Sequence, residues 1–508
     1  MTRQLEKEQL EIGETQIRDI KFNLRSRDDI PKILKGLQYL YITPELRKAI
    51  FALLSEQIAP EVDKKTGRPG MSLWEILVLG VLRLDLNCDY DRLVELANEH
   101  STLRKMLGHS GLFDEYEYSL QTLKDNVALL TPELLDSINT IIVNAGHDLV
   151  SKKKDPLALR GRCDSFAVET DVHYPTDISL LYDAMRKVIQ LTAQLSERHG
   201  LSEWRQYKHN VKTVKHRFRA AQQSKRGARG SKQTSESEEG QDKLAKLALA
   251  HQDLLLISRQ FLEKSSKTIE KISTQKAQLN SADVGLLEAI AYYTGHGERQ
   301  LSQIKRRVLE GEVIPSHEKV YSIFEPHTEW IVKGKAGVPV ELGVRVCVLE
   351  DQYQFLLTHS VMEKLTDDQI AVSIIEQAKT LFPALKSCSF DKGFHSPENQ
   401  RLLAEVLEVV ALRRKGKRTK KVKALEGSEE FKAAHKGHSA VESCINALEV
   451  HGLDVCPDHG IAGFKRYVSL AILTRNVHRI GAILYQKERA ALEKERTRSH
   501  NELFALAA

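Results

Sequence analysis

Three acidic residues of this chain have the types and order that divalent-metal chemistry requires, namely Asp164, Asp391 and Glu442. They are 227 residues apart (391 − 164) and 51 residues apart (442 − 391). Carboxylate oxygens are ligands that Mg²⁺ prefers, and such residues hold pairs of ions roughly 3.5–4 Å apart. Two ions at that separation stabilise the attacking and leaving oxygens of an in-line phosphoryl displacement. The three carboxylates therefore predict a two-metal site for phosphoryl transfer.

Asp164 lies in a strand-like segment, 161–177, that contains four carboxylates: Asp164, Glu169, Asp171 and Asp177. Alternation along a strand places Asp164 on the same face as Phe166, Val168 and Val172, and the other acids off that face. An acid on an apolar face needs a partner such as a metal or a base, because a buried unpaired charge is costly. The pattern favours Asp164 as the ligand. A buried pairing with an arginine or backbone amides remains an alternative, as does a slipped register in which Asp171 replaces Asp164.

The other two acids are placed by a short strand and a helix. Asp391 ends a strand in SCSFDKGFHS and precedes Gly393, which places it at the edge of a sheet where α/β active sites gather. Glu442 lies beside the helical stripe of Val441, Ile445 and Leu448, so a helix packed on the sheet would direct it toward the strand ends. An ordinary turn for Asp391 and a surface position for Glu442 are the alternatives.

Basic residues indicate an anionic partner. The net charge is only +6, but residues 205–232 contain ten Lys or Arg and no acid, and residues 413–423 contain eight in eleven. Such clusters are typical of proteins that bind a phosphate backbone, although a solvated linker or tail is the alternative. The candidate phosphate contacts are Lys333, Lys335, Arg413, Arg414, Lys415, Lys417 and Arg418. His435 and His438, just before Glu442, are predicted either to contact phosphate or to cap their helix.

The elements that must position these residues fall into six segments. We predict an N-terminal helical arm at 1–66 and a helical DNA-binding domain at 67–150, with no strand in either. A catalytic α/β domain with a mixed sheet begins at 151–176 and resumes at 319–480. Residues 177–318 are predicted to be a helical insertion after the first strand, with a flexible basic loop, and residues 481–508 a helical tail.

Composition limits the class of protein. The chain has 508 residues, of which 41% are hydrophobic and 28% charged, as in globular proteins of several domains. Neither a transmembrane segment nor a signal peptide is expected, and six scattered cysteines without a CxxC pair argue against a zinc site or a disulfide framework. We therefore expect a cytoplasmic protein without membrane contact.

The sequence resembles the DDE-class transposases of bacterial insertion sequences, and the ISNCY family most closely. Most of the chain contributes to the resemblance, through GRPGMSLWEILVLGVLR, DYDRLVELANEHSTLRKMLG, RGRCDSFAVETDVHYPTDISLLYDAMR, YSIFEPHTEWIVKGKAGVPVELGVRVCVLEDQ, VMEKLTDDQIA, DKGFHSPENQ and HSAVESCINALEVHGLD. One departure is that related transposases often carry Tyr or Arg shortly before the Glu, where this chain has His435 and His438.

The resemblance implies an RNase H-like catalytic domain in which Asp164, Asp391 and Glu442 are the catalytic triad and bind two Mg²⁺ ions, with Mn²⁺ as a substitute. It implies binding of the element's terminal inverted repeats, cleavage at the ends, and joining of the 3′ ends to target DNA. Synapsis of two ends implies a homodimer or higher assembly on double-stranded DNA. The alternatives are a stand-alone nuclease with the same site and a domesticated, non-catalytic DNA-binding protein.

Overall fold

A computed structural model describes the backbone of residues 12–58, 70–151, 158–229, 238–274, 279–332 and 339–507. The chain divides into two compact units. The first unit comprises Met1–Asp171 and Ile331–Ala508, and the second comprises Val172–Trp330. The second unit corresponds to the insertion predicted at 177–318.

The first unit begins with seven helices: α1 (Ile30–Ile42), α2 (Pro44–Ile58), α3 (Leu73–Asp85), α4 (Tyr90–Glu99), α5 (Ser101–Met106), α6 (Leu120–Val127) and α7 (Pro132–Val150). In the described part of this region there is no strand, as the helical periodicity predicts. Every residue of α3 is buried. A capping box formed by Ser72 and Glu75 begins this helix and satisfies backbone amides that have no helical partner.

The first unit also contains a seven-stranded mixed sheet: β1 (Leu159–Thr170), β2 (Glu329–Val332), β3 (Val340–Glu350), β4 (Leu356–Met362), β5 (Leu385–Phe390), β6 (Val409–Leu412) and β7 (Val455–Cys456). The order is β2-β3-β1-β5-β6, with β4 also paired to β3 and β7 paired to the end of β1. β3 and β4 form the predicted hairpin, and β3 is antiparallel to β1. β5 and β6 continue the sheet in parallel with β1. The mixed α/β class is thereby confirmed.

Strand β1 is shorter than the sequence pattern suggests. It ends at Thr170, so Val172 does not belong to its apolar face. Both faces of β1 are partly covered, since Cys163 and Ala167 are buried as well as Phe166 and Val168. The sequence pattern placed an apolar face only on the side of Asp164, and this division is wrong because the opposite side of β1 is partly buried as well.

The second unit is helical, with α8 (Asp177–Arg198), α9 (Tyr207–Arg229), α10 (Glu238–Thr274) and α11 (Ser281–Ile304). Thr176, not Asp177, is the N-cap of α8, and its side chain accepts a hydrogen bond from Ser179 N. Leu247, Leu254 and Phe261 recur every seven residues in α10 and form a heptad-like stripe. This stripe packs inside the second unit, where Leu254 is fully buried and Phe261 packs against the same core. Helix α9 continues to Arg229, so the predicted basic loop is helical at its start, while residues 230–237 lie outside the described residues.

The remaining helices of the first unit are α12 (Asp367–Leu381), α13 (Pro397–Val406), α14 (Lys420–Glu426), α15 (Glu429–His438), α16 (Ala440–Leu448) and α17 (Gly460–Ala507). All of these helices except α14 and α15 share one hydrophobic core with α1–α7 and with strands of the sheet. Residue 480, the expected boundary of a C-terminal tail, lies inside the continuous helix α17.

Candidate active site

The register between β1 and β5 brings Asp164 and Asp391 together. The two strands are parallel, and Cys163 pairs with Phe390. One residue further along each strand stand Asp164 and Asp391, at the end of β5. Because neighbouring strands are about 4.8 Å apart, this register places the two aspartates side by side.

Asp164 is a perturbed carboxylate. It is half-buried, and burial raises its pKa to about 6, with further contributions from the negative charges of Asp391, Asp367 and Glu442. One hydrogen bond, from Ser165 N to Asp164 Oδ1 at 2.8 Å, acts in the opposite direction. The charged form of Asp164 is thus disfavoured by three other acids, which together with Asp164 we call the acidic cluster.

Asp391 begins a tight turn after β5. It is the N-cap of a single 3₁₀ turn, Lys392–Phe394, and its carboxylate accepts a 3.4 Å hydrogen bond from Gly393 N. A side chain at Gly393 would collide with Asp367, because a Cβ there would lie 2.7 Å from Asp367 Oδ2. Glycine at this position therefore allows Asp367 to approach the turn that carries Asp391.

Glu442 reaches the cluster from helix α16, which packs against β1. Val441, Cys444 and Leu448 are the buried positions of the helix, whereas Ile445 is only half-buried. Glu442 itself is exposed, one position after buried Val441. Its charge contributes to the raised pKa of Asp164, after the effects of burial, Asp391 and Asp367.

Asp367 is the member of the cluster that sequence reasoning missed. The sequence identified it only as an acid in the first turn of α12, where it favours the helix dipole. In the structure Asp367 Oδ1 accepts a hydrogen bond of 2.6 Å from Ser165 Oγ, a residue adjacent to Asp164. No pattern around Asp367 distinguishes this role, because only the packing of α12 beside β1 creates it.

Asp171 does not join the cluster. It is exposed, follows the last residue of β1, and is seven residues from Asp164. At about 3.3 Å per residue, that separation amounts to roughly 20 Å along the chain. Asp177 also lies elsewhere, since it pairs with Arg307 within the second unit at 2.5 Å.

The two predicted histidines lie in the last turn of α15. His438 Nδ1 and Ser389 Oγ are 3.1 Å apart. Burial lowers the pKa of both His435 and His438, with Asp391 acting in the opposite direction on each. Arg413 lowers the pKa of His435 further, whereas Glu442 acts to raise the pKa of His438. Both rings therefore border the acidic cluster at Asp391.

Residues 413–423, which we call the basic run, lie close to the same turn. Lys415 Nζ donates to Gly393 O at 2.6 Å. Arg413, Lys417 and Arg418 are exposed, and Arg418 is partly neutralised by Glu426 at 3.3 Å. Arg414 is half-buried, and its backbone N–H donates to Glu426. Lys333 and Lys335 lie outside the described residues.

The acidic cluster is more open than a preformed single-ion site. In the part of the chain that the structure describes, only Asp85, His451 and His478 bring three ligand atoms within 4.8 Å of one another. The donor set of the acidic cluster nevertheless consists of carboxylate oxygens, which suit Mg²⁺ or Mn²⁺. The raised pKa of Asp164 reflects negative charge that a bound cation would neutralise.

The cysteines form no disulfide among the described residues, although Cys163 Sγ and Cys347 Sγ lie 3.4 Å apart in the core. None of the helices that the structure describes is long and apolar enough to span a bilayer. Comparison of the chain with protein-family models, curated proteins and solved structures finds no match to any of them.

Proposed function

We propose that this protein is a DDE-class DNA transposase of the insertion-sequence type, with Asp164, Asp391 and Glu442 as its metal ligands. The observation that carries the proposal is the convergence of these acids, from β1, the end of β5 and α16, on one half-buried carboxylate whose pKa is about 6. Their convergence is specific, because 227 residues separate the first two in sequence (391 − 164).

The sheet supports an RNase H-like catalytic domain. In that fold a central first strand has two antiparallel strands on one side and parallel strands on the other. Here β3 and β4 are the antiparallel strands, and β5 and β6 are the parallel ones. Asp164 lies in the middle of β1, Asp391 follows the last residue of β5, and Glu442 is on a helix that packs against β1, which is the arrangement expected for this domain.

The surroundings of the acidic cluster support nucleic acid as the substrate. The basic run passes beside the turn of Asp391, where Lys415 contacts Gly393 O. Exposed Arg413 and Lys417 on the same run are free to approach a phosphate backbone without burying their charge. Positive charge next to clustered acids fits a phosphodiester, because the acids alone would repel it.

In this proposal Mg²⁺, or Mn²⁺ in its place, supplies Lewis acidity to the phosphoryl transfer when bound. Asp164 from β1 and Asp391 from the turn after β5 would hold the metal, and Glu442 would complete the set from α16. Asp367 positions Ser165 and Asp164 through the hydrogen bond from Ser165 Oγ. His438, beside Asp391 and Ser389, is placed to contact the scissile phosphate.

Joining two element ends requires at least two protomers on double-stranded DNA. The buried stripe of α10 is used within its own unit, so it is not free for dimerisation. Leu249 and Leu256, seven residues apart on the same helix, are exposed and form the better candidate for contact with a second copy. Action on its own element would place the protein in the bacterial cytoplasm, at the nucleoid.

The test uses purified full-length protein, Mg²⁺, a labelled duplex carrying the end of the element that flanks the gene, and a target plasmid. We expect Mg²⁺-dependent joining of the labelled 3′ end to the plasmid. Asp164→Asn, Asp391→Asn and Glu442→Gln should each reduce joining at least about 10³-fold, because each removes a metal ligand.

Asp171→Asn is the matched control, since it neutralises an acid of the same segment that lies outside the cluster. Cleavage without joining would favour the stand-alone nuclease. Binding to DNA without either reaction would favour the non-catalytic protein. Full activity of Asp164→Asn together with loss in Asp171→Asn would overturn the assignment of the first ligand.

A further inference from the structure

The first unit contains a second cluster of side chains that can bind a metal ion, and this cluster shares no residue with the acidic cluster. Asp85 is the last residue of α3, His478 lies in α17, and His451 lies in the π-helical turn Glu449–Leu453 that follows α16. One ligand atom of each residue lies within 4.8 Å of the others. We call these three residues the His–Asp cluster.

Asp85 has an unsatisfied carboxylate oxygen in this cluster. The residue is only 3% exposed, and its Oδ2 has no hydrogen-bond partner among the described residues. Its other oxygen, Oδ1, lies 2.7 Å from His478 Nδ1, and its backbone oxygen lies 2.5 Å from His451 Nδ1. Buried polar atoms are almost always paired, so an orphaned carboxylate oxygen points to a species that fills the gap.

The space beside the cluster fits a single small species. A cavity of about 10 Å³ is lined by Asp85, His451 and His478, with Leu448 and Thr474 among its other walls. That volume is about the room that one water-sized particle needs. A single metal ion, or a single water, would therefore occupy it without rearrangement of the helices.

From these observations we propose that Asp85, His451 and His478 bind one transition-metal ion of the Zn²⁺ class as a structural site. Two imidazoles and one carboxylate are a ligand set that suits Zn²⁺, whereas Mg²⁺ prefers oxygen ligands alone. A cation there would neutralise the buried charge of Asp85 and give its Oδ2 a partner. This proposal is independent of the proposed function, because it shares no ligand with the acidic cluster.

A charged residue beside the His–Asp cluster offers an alternative explanation for the unpaired oxygen of Asp85. Arg475 also lines the cavity and could itself balance Asp85, in which case water fills the space. Asp29 is a second acid close enough for His478 and His451 to lower its pKa, after the effects of burial and Lys32. Lys32 Nζ lies 2.7 Å from Asp29 Oδ1, so Asp29 is already paired, and among the described residues that line the cavity only Arg475 and the two histidines face the charge of Asp85.

The site would connect the helix of Glu442 to the rest of the first unit. His451 follows Glu442 by nine residues (451 − 442), at the end of the same helical segment. Gly452 has a φ of +95°, and a Cβ there would lie 2.6 Å from Asn87 Oδ1, so this turn is closely packed against the end of α3. Metal binding would therefore fix α16 to α3 and α17.

The experiment measures zinc in the full-length protein, purified without chelator, by elemental analysis. We expect about one equivalent of Zn²⁺, and Co²⁺ added to chelator-treated protein should give the visible absorption of a tetrahedral site. Zn²⁺ should also raise the thermal unfolding midpoint of the chelator-treated protein, because it binds the native state.

His451→Gln and His478→Gln retain a hydrogen-bond donor but lose the ligand, and each should weaken Zn²⁺ binding by more than about 10- to 100-fold. Exposed His317→Gln is the matched control and should bind as the wild type does. Asp164→Asn should also bind Zn²⁺ normally, which separates this site from the acidic cluster. Wild-type protein that gives no Co²⁺ spectrum and no Zn²⁺-dependent shift would overturn the proposal, whether or not the variants fold.

Discussion

The raised pKa of Asp164 predicts that neutralising this residue stabilises the metal-free protein. The change is Asp164→Asn, which keeps the shape of the side chain and removes its charge. The native environment disfavours the charged form, because the side chain is half-buried and faces three other acids. The substituted protein should therefore have a larger free energy of unfolding than the wild type at neutral pH, in the presence of EDTA.

The magnitude follows from the shift of the pKa. A change from 3.8 to about 6 corresponds to about 3 kcal/mol between the two protonation states. Solvent screens part of this repulsion because the carboxylate is partly exposed, so we expect a gain of about 1 to 2 kcal/mol. Because the native pKa is raised, the wild type has its full stability below pH 4 and loses this contribution as the pH rises through 6.

The assay is urea denaturation of both proteins in EDTA at pH values from 4.5 to 8, followed by circular dichroism. The difference in unfolding free energy should be largest at pH 8 and should diminish toward the acid end. Asp171→Asn, an exposed acid outside the cluster, should change stability by less than about 0.5 kcal/mol. An Asp164→Asn protein that is less stable than the wild type at pH 8 would refute the repulsion on which the site is argued.

Three further predictions concern other parts of the protein. Gly343→Ala should destabilise the protein by about 1–3 kcal/mol, because a Cβ there would lie 1.9 Å from a backbone oxygen of β1. Gly285→Ala in α11 should stabilise it by about 0.5–1 kcal/mol, because the added Cβ meets no atom within 4 Å and alanine favours the helix. Denaturation midpoints measure both effects. Arg83→Leu should lower the free energy of unfolding by about 3 kcal/mol at pH 7, because it leaves buried Asp458 with a single arginine. Burial raises the pKa of Asp458, but the two arginines outweigh it and lower the pKa. The loss of stability should therefore shrink as the pH falls below about 4, as measured by urea titration. Lys415→Ala should reduce the steepness of the salt dependence of DNA binding, the slope of log association constant against log salt concentration, by about one. Fluorescence anisotropy measures this slope, and an unchanged slope would exclude a phosphate contact.

Much of the fold could be predicted from the sequence, because its local patterns agree with the helices and strands of the tertiary structure. The alternating runs VELGVRVCVLED and QYQFLLTHSVME contain the strands β3 and β4, and the helical periodicity of MSLWEILVLGVLRLD matches helix α3. Such signals are local, so a single chain displays them without knowledge of its neighbours. The ends of the elements were harder to predict from the sequence, since β1 ends at Thr170 and α17 continues through residue 480.

The candidate site, like the fold, could be predicted from the sequence only in part. The sequence by itself predicts which residues carry carboxylates for metal binding, but the strand alternation that favours Asp164 assumes an apolar and a solvated face that β1 does not have. The sequence could not determine which acids meet, because proximity of Asp164 and Asp391 depends on the pairing of β1 with β5 across more than two hundred residues.

Only the tertiary structure decided the place of Asp367 and of the His–Asp cluster. Asp367 looks like an ordinary first-turn acid until α12 packs beside Ser165, and His478 looks like one polar position in a long helix. The orphaned oxygen of Asp85 likewise exists only because three helical segments meet around it. Residue type and local period are written in the sequence, whereas the burial and charge that set chemical behaviour arise from distant segments packed together.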